Sequence, residues 1–483
     1  MLLARLHFNM ATLRTLMAVA LPMVVSQGAF AVMIFTDRYF MSQIDPTHMA
    51  ASLGGGVAFF FSLCFFLGVI SYANALVAQY RGAGHAGKCS RVVTQGLLMG
   101  LLCQPIMFII GFYVLKLFLV MGHEQTMLEL ESSYYAILML GSLFALWKGC
   151  LSSYFAGISR TRVVMVCDVA GLMLNIPLCW AMAFGHFGFP AMGIDGAAWS
   201  TVLSSLFSLI LFFFYYLARQ NRLAFLVMES FRVDLPVLRR YLRLGLPSGV
   251  ELFLNVAAFN LFLLMFQSYG VAESAAAAIV FNWDMLSFVP MLGLNIGIVS
   301  LIGHSVGARS MEKTNEVISA GFVIAISYSS MLALLFIFFR YPLVDVFAPP
   351  QGDFTEIRVL AAFMMIGLCC YTMADAVIQV SGGVLRGAGD TQWVMYSSTA
   401  LHWIMLVMQY LVIRVWEFGP KASWLVFCAM ILAIAIVFLM RLWSGRWRDE
   451  EALRAAPASF FRFLVAWFES SGLRAHGCSM GVQ

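Results

Sequence analysis

The chain has 483 residues, 62% of them hydrophobic and only 11% charged, with a net charge of +5 and a mean hydropathy of +0.88. No soluble fold can solvate that much apolar surface, so composition excludes a soluble protein and places the chain in a membrane. Apolar stretches predict helices over 17–40, 50–78, 93–120, 132–157, 163–184 and 194–217, and then over 244–269, 274–303, 315–339, 357–384, 393–415 and 422–443. Each exceeds the ~20 residues that cross ~30 Å of hydrocarbon. The expectation is an all-α polytopic protein of twelve transmembrane helices in two six-helix lobes. Residues 1–15 carry basic groups, but the apolar run that follows is a full span without a small-residue cleavage site, so it reads as helix one and not as a removable signal.

The connection between the halves, 219–243, is long and basic and reads as a cytoplasmic linker between an N-terminal lobe, 1–218, and a C-terminal lobe, 244–444. Residues 445–483 form a charged tail, in which the aromatic stretch 459–468 is too short to span and suits a helix lying in the interface. Ten cysteines lie mostly in apolar sequence without metal-ligand spacing and read as small buried hydrophobes.

The two halves repeat at a constant separation of 225 residues. Leu21-Pro22 returns as Leu246-Pro247, and Gly82-Ala83, Lys88, Val92 and Gly96 return as Gly307-Ala308, Lys313, Val317 and Gly321. With six helices per repeat, the copies are parallel and related by an axis along the membrane normal. If the N-terminus is cytoplasmic, most of the 29 lysines and arginines fall on the inner side, in the connections around Arg81, Arg160, Arg219–Arg243 and Arg309 and in the tail; Lys116, Arg340, Arg358, Arg414 and Lys421 fall outside. That asymmetry predicts both termini inside.

Ionisable residues within spans are the candidates for chemistry, because each costs about 2.5–3.5 kcal/mol near the membrane centre. They are Asp37, Arg38, Lys148, Asp168, Glu251, Asp284 and Asp375. At ~1.5 Å of rise per residue, Asp375 lies roughly 16 Å from Arg386, taken as cytoplasmic, and Asp284 a similar depth from the outer Glu273. Glu251 and Asn255, spaced i, i+4, share a helix face. The C-terminal half is therefore expected to hold a mid-membrane cluster of Glu251, Asn255, Asp284 and Asp375. In the first half the repeat counterparts of Glu251, Asn255 and Asp284 are Ser26, Phe30 and Phe59, so the lobes share a scaffold and not a site. That half offers Asp37, Asn175 and Lys148. Lys148 reads as the partner of Asp37 or Asp168, or as a tethered cation that competes with the transported ion; Asp168 also lies near enough to Arg162 to pair with a loop arginine. Gly82-Ala83-Gly84 and Gly387-Ala388-Gly389 read as helix-end turns, since neither follows a strand nor precedes the Lys-Ser/Thr of a phosphate loop.

The ordered motifs Ala20-Leu21-Pro22, Thr36-Asp37, Val77-Ala78-Gln79, Asn175-Ile176-Pro177, the run Gly185–Gly193, Gly303-His304-Ser305-Val306-Gly307-Ala308 and the run Gly383–Gln392 resemble those of the multidrug and toxic compound extrusion (MATE) transporters. The resemblance spans nearly all twelve helices. It implies two lobes forming a V that opens to alternate sides, exporting organic cations or toxic metabolites against inward H⁺ or Na⁺. It also matches Asp37 to the family's helix-one acid, Asp375 to a helix-ten acid and Asn175 to a helix-five asparagine. The chain departs from the pattern at Asn255, where related members carry glutamate, and at Cys179, where some carry an acid; Glu251, one turn before Asn255, is the candidate substitute. H⁺ is favoured over Na⁺ because three acids near the membrane centre cannot all stay ionised; a sodium site at Glu251, Asn255, Asp284 and Asp375 is the alternative.

A flippase for lipid-linked precursors would need several cavity arginines, and only Arg38 lies within a predicted span. A membrane transferase would need a constellation that His402 alone does not supply, and a channel would not need unlike acid sites. The expected partners are small organic cations and the lipid bilayer, with no nucleic acid, no cofactor and no structural metal, and the expected unit is a monomer in the inner membrane.

Overall fold

Asn9 opens the first helix, its side-chain oxygen accepting the Ala11 N–H in place of the missing helical carbonyl. The computed structural model describes residues 9–120, 125–348 and 354–448. The helices of the first half are α1 (Met10–Ile44), α2 (Pro46–Ser71) continued as α3 (Ala73–Gly82), α4 (Ala86–Val120), α5 (Gln125–Leu140) with α6 (Ser142–Gly157), α7 (Thr161–Phe184) and α8 (Ile194–Leu217). After a short α9 (Arg219–Ala224) the second half runs α10 (Leu235–Gln267), α11 (Val271–Gly307), α12 (Met311–Phe338), a six-residue α13 (Arg340–Asp345), α14 (Thr355–Ala388), α15 (Thr391–Tyr410) and α16 (Pro420–Ser444). Eleven of these stretches are long and apolar enough to span, and α5 and α6, bent by 48°, make the twelfth. No strand occurs among the described residues.

The bend falls at Gly141, where a Cβ would lie 2.7 Å from the Val202 side chain, so close helix approach fixes the residue. Gly84 and Gly389 have φ of +75° and +105° in the turns after α3 and α14, the helix-end role read from sequence.

The helices overrun the apolar windows at the end that carries the linker. α1 starts at Met10 and α10 at Leu235, so Arg239, Arg240 and Arg243 belong to a helix and not to a loop. Backbone hydrogen bonding continues through the interface, where hydropathy has already fallen. The linker is correspondingly shorter than 219–243, and it packs against the first lobe: Ser90 donates to the Phe225 carbonyl (2.7 Å), Gln95 to the Arg232 carbonyl (2.9 Å) and Tyr154 to Asn221 (3.1 Å).

Two main apolar cores correspond to the halves, one around Tyr135, Tyr154 and Phe212, the other around Phe262, Trp424 and Phe427. Large apolar side chains such as Leu102, Phe214 and Phe338 are exposed on the outside, as lipid contact allows. The lobes join through α1 with α11, α2 with α10 and α3 with α11. Their hydrogen bonds cluster at the face of the linker: Tyr241 O–H to the Ile70 carbonyl (2.6 Å), Gln79 Nε2–H to the Gly387 carbonyl (2.8 Å) and Tyr72 O–H to the Arg386 carbonyl (3.1 Å). The cysteines among the described residues are free and mostly buried, with Cys370 exposed. The proposed interfacial stretch 459–468 lies outside the described residues.

Candidate ion-coupling sites in the two lobes

In the first lobe Asp37 sits on the buried face of α1, 6% exposed. Its Oδ2 accepts the Thr201 hydroxyl of α8 at 2.9 Å. Asn175 and Cys179, one turn apart on α7, face the same carboxylate, and Tyr134 of α5 stands beside it. The second oxygen, Oδ1, is buried without a hydrogen-bond donor among the described residues, as is Oδ1 of Asn175. A buried carboxylate with one oxygen unpaired is costly unless it takes up a proton or a cation. Sequence reading missed Thr201, because a threonine carries no signature within an apolar helix.

Lys148 does not serve Asp37. It pairs with Asp168 at 2.9 Å, an ion contact without well-aligned hydrogen-bond geometry, and Ser26 of α1 donates to the other oxygen of Asp168. The partner expected for Asp168 among the loop arginines is thus corrected: α6 and α7 set Lys148 closer than the helix start at Arg162.

In the second lobe the expected cluster separates into two. Glu251 of α10 is bound by Arg386, Nη2 to Oε1 at 2.6 Å with Nε to Oε2 at 3.4 Å, and Asn255 donates to Ser398 Oγ at 2.8 Å. The sequence reading takes Arg386 as cytoplasmic. It occupies the last turn of α14 and turns its guanidinium inward, because Glu251 offers a bidentate anion that water would otherwise have to replace.

Asp284 of α11 and Asp375 of α14 form the other group. Ser287 donates to Asp284 at 3.0 Å and Gln379 to Asp375 at 3.3 Å. The two carboxylates stand on neighbouring helices, and Tyr371, one turn before Asp375, turns its buried hydroxyl toward Asp284 without completing a hydrogen bond. Both acids are half-buried. Among the described residues no three His, Cys, Asp or Glu side chains converge as a metal cage. A single sodium site at Glu251, Asn255, Asp284 and Asp375 would have to displace the Arg386 guanidinium from Glu251.

The MatE family model matches residues 22–181 and again residues 247–411, both copies starting at the repeated proline. The chain belongs to the MatE family. This MATE chain is 27% identical to the multidrug resistance protein MdtK of Proteus mirabilis over 450 residues, which cover 91% of this chain and 97% of that one. It is 25% identical to the probable multidrug resistance protein NorM of Mannheimia succiniciproducens, covering 91% and 95%. Its fold is that of a MOP superfamily transporter from Pyrococcus furiosus, with a TM-score of 0.82 at 18% identity and coverage of 91% and 97%. The MATE chain is thus a multi-pass membrane transporter and not an enzyme.

Proposed function

We propose that this MATE protein exports organic cations, drugs or toxic metabolites in exchange for inward H⁺, by alternating access of its two lobes in the inner membrane with both termini cytoplasmic. One observation carries the reading: the intramembrane acids fall into two kinds. Asp168 and Glu251 are neutralised by Lys148 and Arg386, whereas among the described residues Asp37 in one lobe and Asp284 with Asp375 in the other face no lysine or arginine within ion-pair distance. Groups of the first kind hold the bundle together; groups of the second remain available to an ion or to a cationic substrate.

The proton is favoured over sodium because the division of the cluster leaves each site few hard oxygen ligands, and a proton needs only one desolvated carboxylate. Protonation that differs between the two lobe arrangements ties ion flow to substrate flow. The names of the relatives support drug export over a lipid-linked-precursor flippase. With the lobes joined at the face of the linker, this state would open on the opposite, outer face. The test is export of a cationic dye by the purified protein in vesicles, driven either by a pH gradient or by a sodium gradient at symmetrical pH. Transport under the pH gradient that collapses with a protonophore is expected. Ionophore-insensitive transport on sodium alone would overturn the proton assignment, and no dye movement under either gradient would overturn the export reading.

A further inference from the structure

The lobes meet through contacts that occur twice, related by the same 225-residue operator. A Cβ on Gly82 would lie 2.0 Å from the His304 carbonyl oxygen, and one on Gly307 would lie 2.1 Å from that of Gln79. Gly82 and Gly307 are repeat counterparts, as are Gln79 and His304. Nearer the membrane centre, a Cβ on Gly68 would meet Gly249 Cα at 2.7 Å and one on Gly293 would meet Val24 N at 2.5 Å, again a counterpart pair. The seam is an isologous interface between two parts of one chain.

At the rim the operator acts on side chains. Asn9 caps α1 and its Nδ2 donates to Glu316 of α12 at 3.2 Å, with Thr12 donating to the same carboxylate at 2.5 Å. Asp234 caps α10 and its Oδ2 accepts from Arg91 of α4 at 2.8 Å. Asn9 and Asp234 are counterparts, and so are Arg91 and Glu316. In each case the cap of one lobe's first helix reaches the third helix of the other lobe.

We propose that these two N-cap clasps, Asn9–Glu316 and Asp234–Arg91, are the latch that holds the linker face closed and sets the balance between the two access states. The proposal rests on the alternating-access reading above. Both clasps join opposite lobes, so opening this face must break both. They can break without unravelling either helix, because the capping duty falls on a different atom: Asn9 Oδ1 takes the Ala11 N–H and Asp234 Oδ1 the Val237 N–H, at 2.9 Å and 3.2 Å. Partial burial raises the Asp234 carboxyl, but the Val237 amide and Arg91 outweigh it and hold the group below the ordinary carboxylate range, so this clasp is ionic at neutral pH. The Asn9–Glu316 contact is exposed and the Asp234–Arg91 pair half-buried near the surface, where such pairs are weak, which suits a contact that must release in every cycle.

The operator also dictates the test. Asn9→Asp combined with Glu316→Arg would turn the Asn9–Glu316 clasp into a copy of the Asp234–Arg91 clasp, whereas Asn9→Asp alone would set two carboxylates against each other, and Arg91→Glu would do the same at Asp234. Aspartate caps a helix as well as asparagine does, so helix starts are preserved. Distances between spin labels carried by non-natural residues at the counterpart positions Lys88 and Lys313 would be measured in the full chain in lipid nanodiscs, across pH and with a cationic dye. Arg91→Glu and Asn9→Asp should each raise the open-to-closed ratio at this face about two- to fivefold. The Asn9→Asp/Glu316→Arg pair should return it to the wild-type value or below, with unchanged melting temperature throughout. If wild type shows two distances that respond to pH or dye while the variants leave their ratio unmoved, the latch is wrong and alternation stands. One distance in every sample and condition would remove both.

Discussion

Residues of the same chemical type do opposite things here, and their partners decide which. Asp375 and Glu251 are both acids deep in the second half, yet one faces Asp284 and Tyr371 and the other a guanidinium. Asp375→Asn keeps shape and removes charge, so dye export should fall to the level of empty vesicles while expression and melting temperature stay at wild-type values. Continued pumping against a gradient would remove Asp375 from the mechanism. Glu251→Gln should behave differently. It strands Arg386 beside an amide in a largely buried site, and breaking such a pair costs about 3–5 kcal/mol. A clear fall in melting temperature is therefore expected, partly recovered when Arg386→Met is added. A Glu251→Gln protein as stable as wild type and yet transport-dead would instead place Glu251 among the coupling groups.

Helices carry the next level, where backbone approach replaces side-chain chemistry. α3 and α11 cross so closely that no side chain fits at Gly82 or Gly307. Gly307→Ala adds one methyl against the Gln79 carbonyl, which is backbone and cannot rotate away. The crossing must loosen, and the lobes should shift toward the state in which this face is open. Accessibility of a cysteine at Ser305 to a thiol reagent applied from the linker side should rise, with little change at a control cysteine at Arg446. Equal labelling of wild-type and Gly307→Ala backgrounds would show that the crossing is not state-dependent. Such a seam was only half legible from sequence: the repeat exposes Gly82 and Gly307 as counterparts, but not that each meets the other's lobe.

For the whole molecule, orientation is the property that links fold to direction of transport. The faces are unequal in charge: Arg81, Lys88, Arg232 and Arg309 lie at the end with the linker, and His48 and Glu129 at the other. In intact cells, cysteines placed at Lys88 and Arg232 should resist a membrane-impermeant thiol reagent, and ones at His48 and Glu129 should react. The opposite pattern would invert the molecule and make the present arrangement inward-open.

Sequence by itself determined the class of solvent, the twelve helices, the duplication and the short roll of intramembrane charges, since span length, hydropathy and a fixed repeat are one-dimensional properties. Helix ends were displaced outward because hydropathy marks the hydrocarbon and hydrogen bonding does not stop there. Tertiary structure decided which charge meets which. Arg386 and Glu251 are 135 residues apart and Lys148 and Asp168 sit on different helices, so their pairing depends on how each helix is rotated and how far it slides along its neighbour. A depth count measured from Arg386 as if it lay in water could not show that the arginine itself had turned inward. The two clasps belong to the same category: their residues stand 225 apart in a list that anyone can read, but only the crossing of the lobes brings a cap of one against the third helix of the other.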